Sequence, residues 1–255
     1  MKNIITIKKK IKSYNTKIRI AGDKSLSIRF LLMASQAKGK SIAYNLLDSE
    51  DVKSTLNCLK KLGIKIIKKK NYCVIEGRGI AGFNFKKDMV LNAGNSGTLG
   101  RLLLALLIKS PYKIKIIGDK SLTKRDFSRV FNPLKKFGAN FYPKNTKTLP
   151  VKVVGSKLLK PIKFIEDKGS AQIKSTVMLA ALSAPGKTII KAHKSRNHTE
   201  NLFNYLKIPT RIRKNKNIDL IEIYGNKNYN SFRYNIPGDI SSASFFIVLT
   251  LLSKK

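Results

Sequence analysis

Four stretches of the chain share one pattern, a short polar start containing glycine followed by a long apolar run. They are GDKSLSIRFLLMAS, GNSGTLGRLLLALLI, GSAQIKSTVMLAAL and GDISSASFFIVLTLL, opening near Lys24, Ser96, Ser170 and Ile240 at intervals of 72, 74 and 70 residues. A surface helix carries its apolar residues as a stripe on one side. These runs are too continuous for that and predict largely buried helices.

The segments after the buried helices repeat as well. A short strand comes first, in KGKSIAYNLL, SPYKIKIIGD and APGKTIIKAH. An amphipathic helix comes next. In SEDVKSTLNCLKKLG, Val52, Leu56, Leu59 and Leu62 share a face, Ser49 or Asp48 can cap the start, and Glu50 and Asp51 occupy the first turn. Its counterparts are TKRDFSRVFNPLKKFG and SRNHTENLFNYLKI, the latter with Asn197 and Glu200 at capping-box spacing. Two strands close each unit: IKIIK with YCVIEG, ANFYP with PVKVV, and TRIRK with IDLIEI. The expectation is an α/β lobe of three helix–strand–helix–strand–strand units, with a fourth beginning at Gly238.

Three such units can share a core, with buried helices inside and sheets around them. Approximate threefold symmetry would then point the buried helices the same way, so that their positive N-terminal ends form an anion site. This explains an otherwise awkward placement of cations. Lys24 and Arg29 sit on the opening turns of an apolar helix, where positive charge is unfavourable by about 0.3–1 kcal/mol unless something negative lies in front. With Ser25 they offer an ammonium, a hydroxyl and a guanidinium fork, suited to phosphate or carboxylate.

The other helix starts repeat the theme. NAGNSGTLGR has Gly94, Gly97 and Gly100 near Ser96 and Thr98, allowing backbone N–H groups to approach an oxyanion. GDKSLTKRDFSR adds Arg125 and Arg129 at a loop-to-helix junction. SAQIK brings Ser170, Gln172 and Lys174, and Ser195 and Arg196 precede the third amphipathic helix. The acidic residues show no poised acid–base pair. Asp23, Asp119 and Asp239 each follow glycine and suit turns.

Composition narrows the class. No apolar run approaches the roughly 18–20 residues of a membrane span; the longest is LLLALLI at 102–108, and the lysine-studded N-terminus lacks a signal-peptide core. Cys58 and Cys73 lack CxxC spacing, and His193 and His198 have no ligand partners at metal spacing, so neither a disulfide framework nor a metal site is indicated. A cytoplasmic protein is expected. The net charge of +38, from 52 Lys plus Arg against 14 Asp plus Glu, is spread over every segment. Aromatics interleaved with the basic residues are not concentrated anywhere, so the charge argues for anionic ligands generally, not for a nucleic-acid surface.

Taken in order, GDKSLSIR, NLLDSEDVKSTLNCLKKLG, LNAGNSGTLGRLLLAL, GDKSLTKRDFSRVFNPLKKFGA, GSAQIKSTVMLAAL, KSRNHTENLF and PGDISSASFF closely resemble the 5-enolpyruvylshikimate-3-phosphate synthase family, from about Ile20 to the last residue. The sister transferase acting on UDP-N-acetylglucosamine typically has a reactive loop cysteine, and neither cysteine here lies in such a loop. The resemblance implies an enolpyruvyl transferase fold of two inside-out α/β barrel lobes. Residues 1–19 would hold a strand of the second lobe, 20–235 the first lobe, and 236–255 the return. The implied reaction transfers the enolpyruvyl group of phosphoenolpyruvate to the 5-hydroxyl of shikimate 3-phosphate, without metal or cofactor, in a monomeric full-length enzyme.

By the same resemblance, Lys24, Ser25, Arg29, Ser170, Ala171, Gln172 and Arg196 would bind shikimate 3-phosphate. Lys24, Gly97, Arg125 and Gln172 would bind phosphoenolpyruvate. Asp126 stands where the family usually has proline, so its carboxylate, or that of Asp119, would compete for Arg125. The family's principal catalytic aspartate and its assisting glutamate and lysine would lie beyond residue 255. The chain is therefore expected to be an N-terminal fragment with no catalytic residue of its own and no turnover alone. Two other readings suit the same surface: an RNA 3′-phosphate cyclase-like enzyme, whose histidine motif is not recognisable around His193 or His198, and a non-catalytic anion-binding lobe.

Overall fold

A computed structural model describes residues 15–253 of the chain. The strand expected over residues 1–19 lies, for 1–14, outside the described residues.

The first unit runs α1 (Lys24–Gln36), β1 (Lys38–Tyr44), α2 (Glu50–Lys61), β2 (Lys65–Lys68) and β3 (Tyr72–Arg78). The second runs β4 (Val90–Asn92), α3 (Gly97–Leu106), β5 (Ile114–Ile117), α4 (Ser128–Phe137), β6 (Asn140–Tyr142) and β7 (Val151–Val154), with a 3₁₀ turn at Leu122–Lys124. The third is β8 (Lys163–Glu166), α5 (Ala171–Ala181), β9 (Gly186–His193), α6 (His198–Tyr205), β10 (Thr210–Arg213) and β11 (Ile218–Gly225). β12 (Arg233–Asn235) and α7 (Ile240–Leu252) complete the order.

The strands form three four-stranded sheets of one design, β12-β1-β3-β2, β4-β5-β7-β6 and β8-β9-β11-β10. The pattern of apolar positions anticipated three strands per unit. The fourth, β4, β8 or β12, is short, and it adds to its sheet in parallel, Leu91 opposite Ile116, Phe164 opposite Ile190 and Ala43 opposite Tyr234. For the first sheet that strand arrives from the far end of the sequence. β12 thereby closes the ring of units.

α1, α3 and α5 are buried along nearly their whole length, as their all-round apolar sequences require. α2 and α4 are amphipathic and bury one face each, through Val52, Leu56 and Leu59 and through Val130, Phe131 and Leu134. One glycine per unit lets a strand end pass beneath the last turn of its inner helix. A Cβ on Gly77 would lie 2.1 Å from the Ala34 carbonyl oxygen, on Gly155 2.1 Å from that of Ile108, and on Gly225 2.0 Å from that of Ala181. The C-terminal ends of α1, α3 and α5 thus all meet sheet backbone, and their N-terminal ends share the opposite side.

Two expectations need correction. α7 has the same sequence character as the inner helices, yet none of its residues is buried; Phe245, Leu251 and Leu252 are 78% exposed. The inner positions are already filled by α1, α3 and α5, and no element among the described residues covers α7. The capping box at α6 is also absent, because Asn197 makes no side-chain cap. Glu200 turns inward instead, to Lys174.

Where the chain enters and leaves the ring, its two Gly-Asp motifs lie side by side. The Asp23 N–H donates to the Pro237 carbonyl at 2.8 Å, and the Asp239 N–H donates to that of Ala21 at 2.9 Å. Both aspartates then cap the helices they precede.

Candidate anion site

α1 begins with Asp23, whose carboxylate accepts from the Leu26 N–H at 2.7 Å. The cap turns the chain so that Lys24 is exposed and Ser25 half-buried. The Lys24 ammonium lies 3.4 Å from the carboxylate of Asp51, in the first turn of α2. That carboxylate does more than charge its own helix start.

Arg29 is different. It is 4% exposed, one turn inside α1. Its Nε donates to the Thr199 hydroxyl at 2.9 Å, one terminal nitrogen to the Ser25 carbonyl at 3.2 Å, and the other to the Ser175 hydroxyl at 3.0 Å. Every partner is neutral. Among the described residues, no carboxylate comes within ion-pair distance of Arg29. Burial lowers its pKa to about 10, against the opposing pull of Glu200 and Asp23 and with a further push from Arg196. A desolvated cation held only by dipoles retains two N–H groups and an unmatched charge for an anion.

Arg196 and His198 stand on the α6 side of Arg29. Arg196 is exposed, and the field of its charge reaches both Arg29 and His198. His198 opens α6 half-buried; burial first, then Arg29 and Arg196, hold its pKa below the usual histidine value. It is the neutral neighbour of two cations.

A second group gathers between α3 and α5. Gln172 uses both ends of its amide, accepting from Arg101 at 3.0 Å and donating to the Thr98 hydroxyl at 3.2 Å. Arg101 also donates to the Gly97 carbonyl at 3.2 Å and lies over the Phe127 ring, 4.9 Å from its centroid. Burial, then the charge of Arg125, lowers its pKa. Gly97 has no room for a side chain: a Cβ would come 2.8 Å from Arg101 Nη1 and 2.9 Å from Arg125 Nη1. Both guanidinium groups therefore cross the first residue of α3.

The expected competition for Arg125 does not occur. Asp126 accepts from the Ser128 N–H at 2.6 Å, which draws its carboxylate onto the start of α4. Asp119 accepts from the Leu122 N–H at 2.7 Å and from the Asn95 amide at 2.6 Å. Asn95 relays the contact, its carbonyl oxygen accepting from Arg125 at 3.0 Å. Turn formation claims both carboxylates and leaves Arg125 exposed with a neutral partner.

α5 lies between these groups. Ser170 caps it, accepting from the Ile173 N–H at 3.3 Å, while its own N–H donates to Glu166 at 2.8 Å. Glu166 is also ion-paired to Arg129, which is thereby committed to a structural contact. Ala171 and Gln172 are half-buried on the first turn, and the Ala171 carbonyl accepts from the Ser175 hydroxyl at 2.6 Å. A continuous polar path therefore runs Ser25–Arg29–Ser175–Ala171 and on through Gln172 and Arg101 to Gly97 and Arg125. A hollow of about 560 Å³ beside Arg125 is lined by Asp119, Lys124 and Arg125, whereas a larger one of about 740 Å³ lies between α6 and β10, lined by Asn197, Asn201, Ile208 and Ile212, away from the starts of α1, α3 and α5.

Sequence reasoning missed Arg101, Asn95, Thr199 and His198. Arg101 carried a signal, since it lies one helical turn after Gly97 on the same face. Thr199 carried none, because its partner is 170 residues away. Among the described residues no three His, Cys, Asp or Glu side chains are grouped to hold a metal ion, and no helix is long and apolar enough to cross a membrane.

Known proteins resemble this chain in sequence and fold. The family model of EPSP synthase (3-phosphoshikimate 1-carboxyvinyltransferase) matches residues 8–255. A 3-phosphoshikimate 1-carboxyvinyltransferase of Petrotoga mobilis is 39% identical over 243 residues, covering 94% of this chain and 55% of that protein. One from Streptococcus pyogenes is 38% identical over 237 residues, covering 92% and 54%. Among solved structures, an EPSP synthase from Acinetobacter baumannii superposes with a TM-score of 0.84 at 31% identity, over 94% of this chain and 53% of that one. The chain spans about half the length of the curated relatives it matches.

Proposed function

This chain belongs to the EPSP synthase family, and on that premise we propose that it carries the substrate-anchoring part of an enolpyruvyl transfer site. Lys24, Ser25, Arg29, Ser170, Ala171, Gln172 and Arg196 hold shikimate 3-phosphate. Lys24, Gly97, Arg125 and Gln172 hold phosphoenolpyruvate, and Arg101 joins them through its contacts with Gly97 and Gln172. In the same reading residues 20–235 form one lobe and 236–255 lead into a second, in a cytoplasmic, monomeric full-length enzyme. The uncovered surface of α7 supports that division.

The observation that carries the proposal is Arg29, a guanidinium 4% exposed and held by neutral partners alone. Structural arginines at such depth are usually matched by a carboxylate, because an isolated buried charge is strongly unfavourable. A phosphate dianion supplies that match and accepts the remaining N–H groups.

In the reaction, the 5-hydroxyl oxygen of shikimate 3-phosphate bonds to C2 of phosphoenolpyruvate as the methylene carbon gains a proton and the hydroxyl loses one. Loss of phosphate from C2 and of a proton from the new methyl group then restores the enol ether. Arg101 and Arg125 orient the phosphoenolpyruvate anion over the first turn of α3, and the α5 start fixes the acceptor. Holding both reactants in register is a large part of what such a site contributes.

Calorimetric titration of the chain with shikimate 3-phosphate tests this reading. Saturable one-to-one binding is expected, weakened by about ten- to a hundredfold in Arg29→Met, since a hydrogen bond to a charged group contributes about 1.5–3 kcal/mol. Tighter, salt-dependent binding of an RNA oligonucleotide with a 3′-phosphate, with none of shikimate 3-phosphate, would overturn it.

A further inference from the structure

Lys174 and Glu200 belong to neither substrate set, yet they are 1% and 5% exposed. Their charged atoms face each other at 2.5 Å, joining α5 to α6. The second carboxylate oxygen of Glu200 has no hydrogen-bond partner in the protein. An ion pair buried with lone pairs unmet contributes little to stability, and apolar replacements of similar volume are often neutral or stabilising. Stability therefore does not account for this pair.

Its position does. Lys174 immediately precedes Ser175, and Glu200 immediately succeeds Thr199. The Thr199 hydroxyl donates to that of Ser175 at 2.8 Å, and these two oxygens accept from Arg29 at 2.9 and 3.0 Å. Ser175 in turn donates to the Ala171 carbonyl on the first turn of α5. The seat of Arg29 is thus built from two helices, and its two hydroxyls are each next in sequence to one member of the ion pair. A hydroxyl pair alone is weak and can re-form in other rotamers. A buried opposite-charge pair cannot be parted cheaply, because separation strands both charges in the interior.

We propose that Lys174–Glu200 is a positioning clamp for the anion site, locking the start of α6 onto α5 so that Thr199 and Ser175 hold the Arg29 guanidinium in its receiving orientation. Its effect on substrate rests on the proposed shikimate 3-phosphate site; its effect on Arg29 does not.

The test compares the wild-type chain with the double variant Lys174→Met/Glu200→Leu. The Arg29 Nε–H is monitored by ¹⁵N NMR, its signal assigned by its loss in Arg29→Lys. A merely structural pair would show itself in the melting temperature alone. The clamp predicts a melting temperature close to that of the wild type or above it, with the Arg29 Nε–H losing its shifted, exchange-protected signal. Affinity for shikimate 3-phosphate should fall on the order of tenfold, as displaced binding groups do when their support is removed. Should the double variant not fold, Glu200→Gln, which removes the charge and keeps the shape, is expected to leave the same N–H unprotected from exchange; a change of shift alone follows from the lost field of Glu200 and does not count for the clamp. An Arg29 Nε–H still protected from exchange in a folded variant overturns the clamp. Failure of the wild type to bind shikimate 3-phosphate would overturn the substrate assignment instead, with the Arg29 signal still deciding the clamp.

Discussion

The Arg29 side chain donates through Nε to the hydroxyl of Thr199, 170 residues further along the chain, at 2.9 Å. The bond ties the inner helix of the first unit to the outer helix of the third. It exists because the ring of units closes, with β12 pairing β1 as the last strand of the first sheet. Closure converts a cation near a helix start into a buried group held between α1, α5 and α6.

On the proposed reading, an incoming phosphate replaces the Lys24–Asp51 pair. At 3.4 Å, with the lysine side chain half exposed, it is worth at most about 1 kcal/mol. Asp51→Asn is therefore expected to raise affinity for shikimate 3-phosphate by up to about fivefold. A calorimetric titration showing weaker binding would mean that Asp51 helps hold the ligand.

Gly97→Ala is expected to fold normally and to bind phosphoenolpyruvate less well. Its new methyl group meets the far ends of two flexible arginines, 2.8 and 2.9 Å away, and these yield where backbone would not. The shift moves Arg101 and Arg125 together. Competition binding in the presence of shikimate 3-phosphate should show the loss for phosphoenolpyruvate, with little change for the acceptor.

His198 gives a pH signature. Burial and its two cationic neighbours lower its pKa, so between that value and the ordinary 6.5 the unfolded chain binds more protons than the folded one. Its effect on stability is absent above pH 6.5, grows into a loss as pH falls from there, and is complete below the lowered value. A bound phosphate offsets the charges of Arg29 and Arg196 and should raise the pKa. Proton NMR of the imidazole, with and without shikimate 3-phosphate, checks both; a value unchanged by ligand would place the phosphate elsewhere.

The two cysteines report on the fold. Burial pushes the Cys58 thiol up to about 12 and the Cys73 thiol up to about 11, which leaves little thiolate at neutral pH. Both are expected to resist a thiol-labelling disulfide reagent in the native chain and to react fully in denaturant. Rapid labelling of either one natively would contradict the packing of α2 or β3.

The repeat was legible because each inner helix is apolar all round and each outer helix along one face, a contrast written locally. β4, β8 and β12 were not, since each is three or four residues long and pairs with a strand its own sequence does not name. The site divides in the same way. Lys24, Ser25, Arg29 and Gln172 were visible as polar residues out of place at apolar helix starts, and Gly97 as one of three clustered glycines. Their partners were not: Asp51 read as an ordinary first-turn charge and Glu200 as part of a cap. Even Asp126, a visible rival for Arg125, is taken by a backbone N–H two residues on. Periodicity shows which groups face the site, and tertiary closure decides which remain free there.

On the proposed reading, the starts of α1, α3 and α5 act together as one anion site. Two-dimensional amide NMR, titrating the ¹⁵N-labelled chain with shikimate 3-phosphate, tests this most directly. The expected result is concerted shifts at Ser25, Gly97, Ala171 and Gln172 that saturate with a single dissociation constant. Shifts confined to one helix start, or scattered over the surface lysines without saturation, would contradict it.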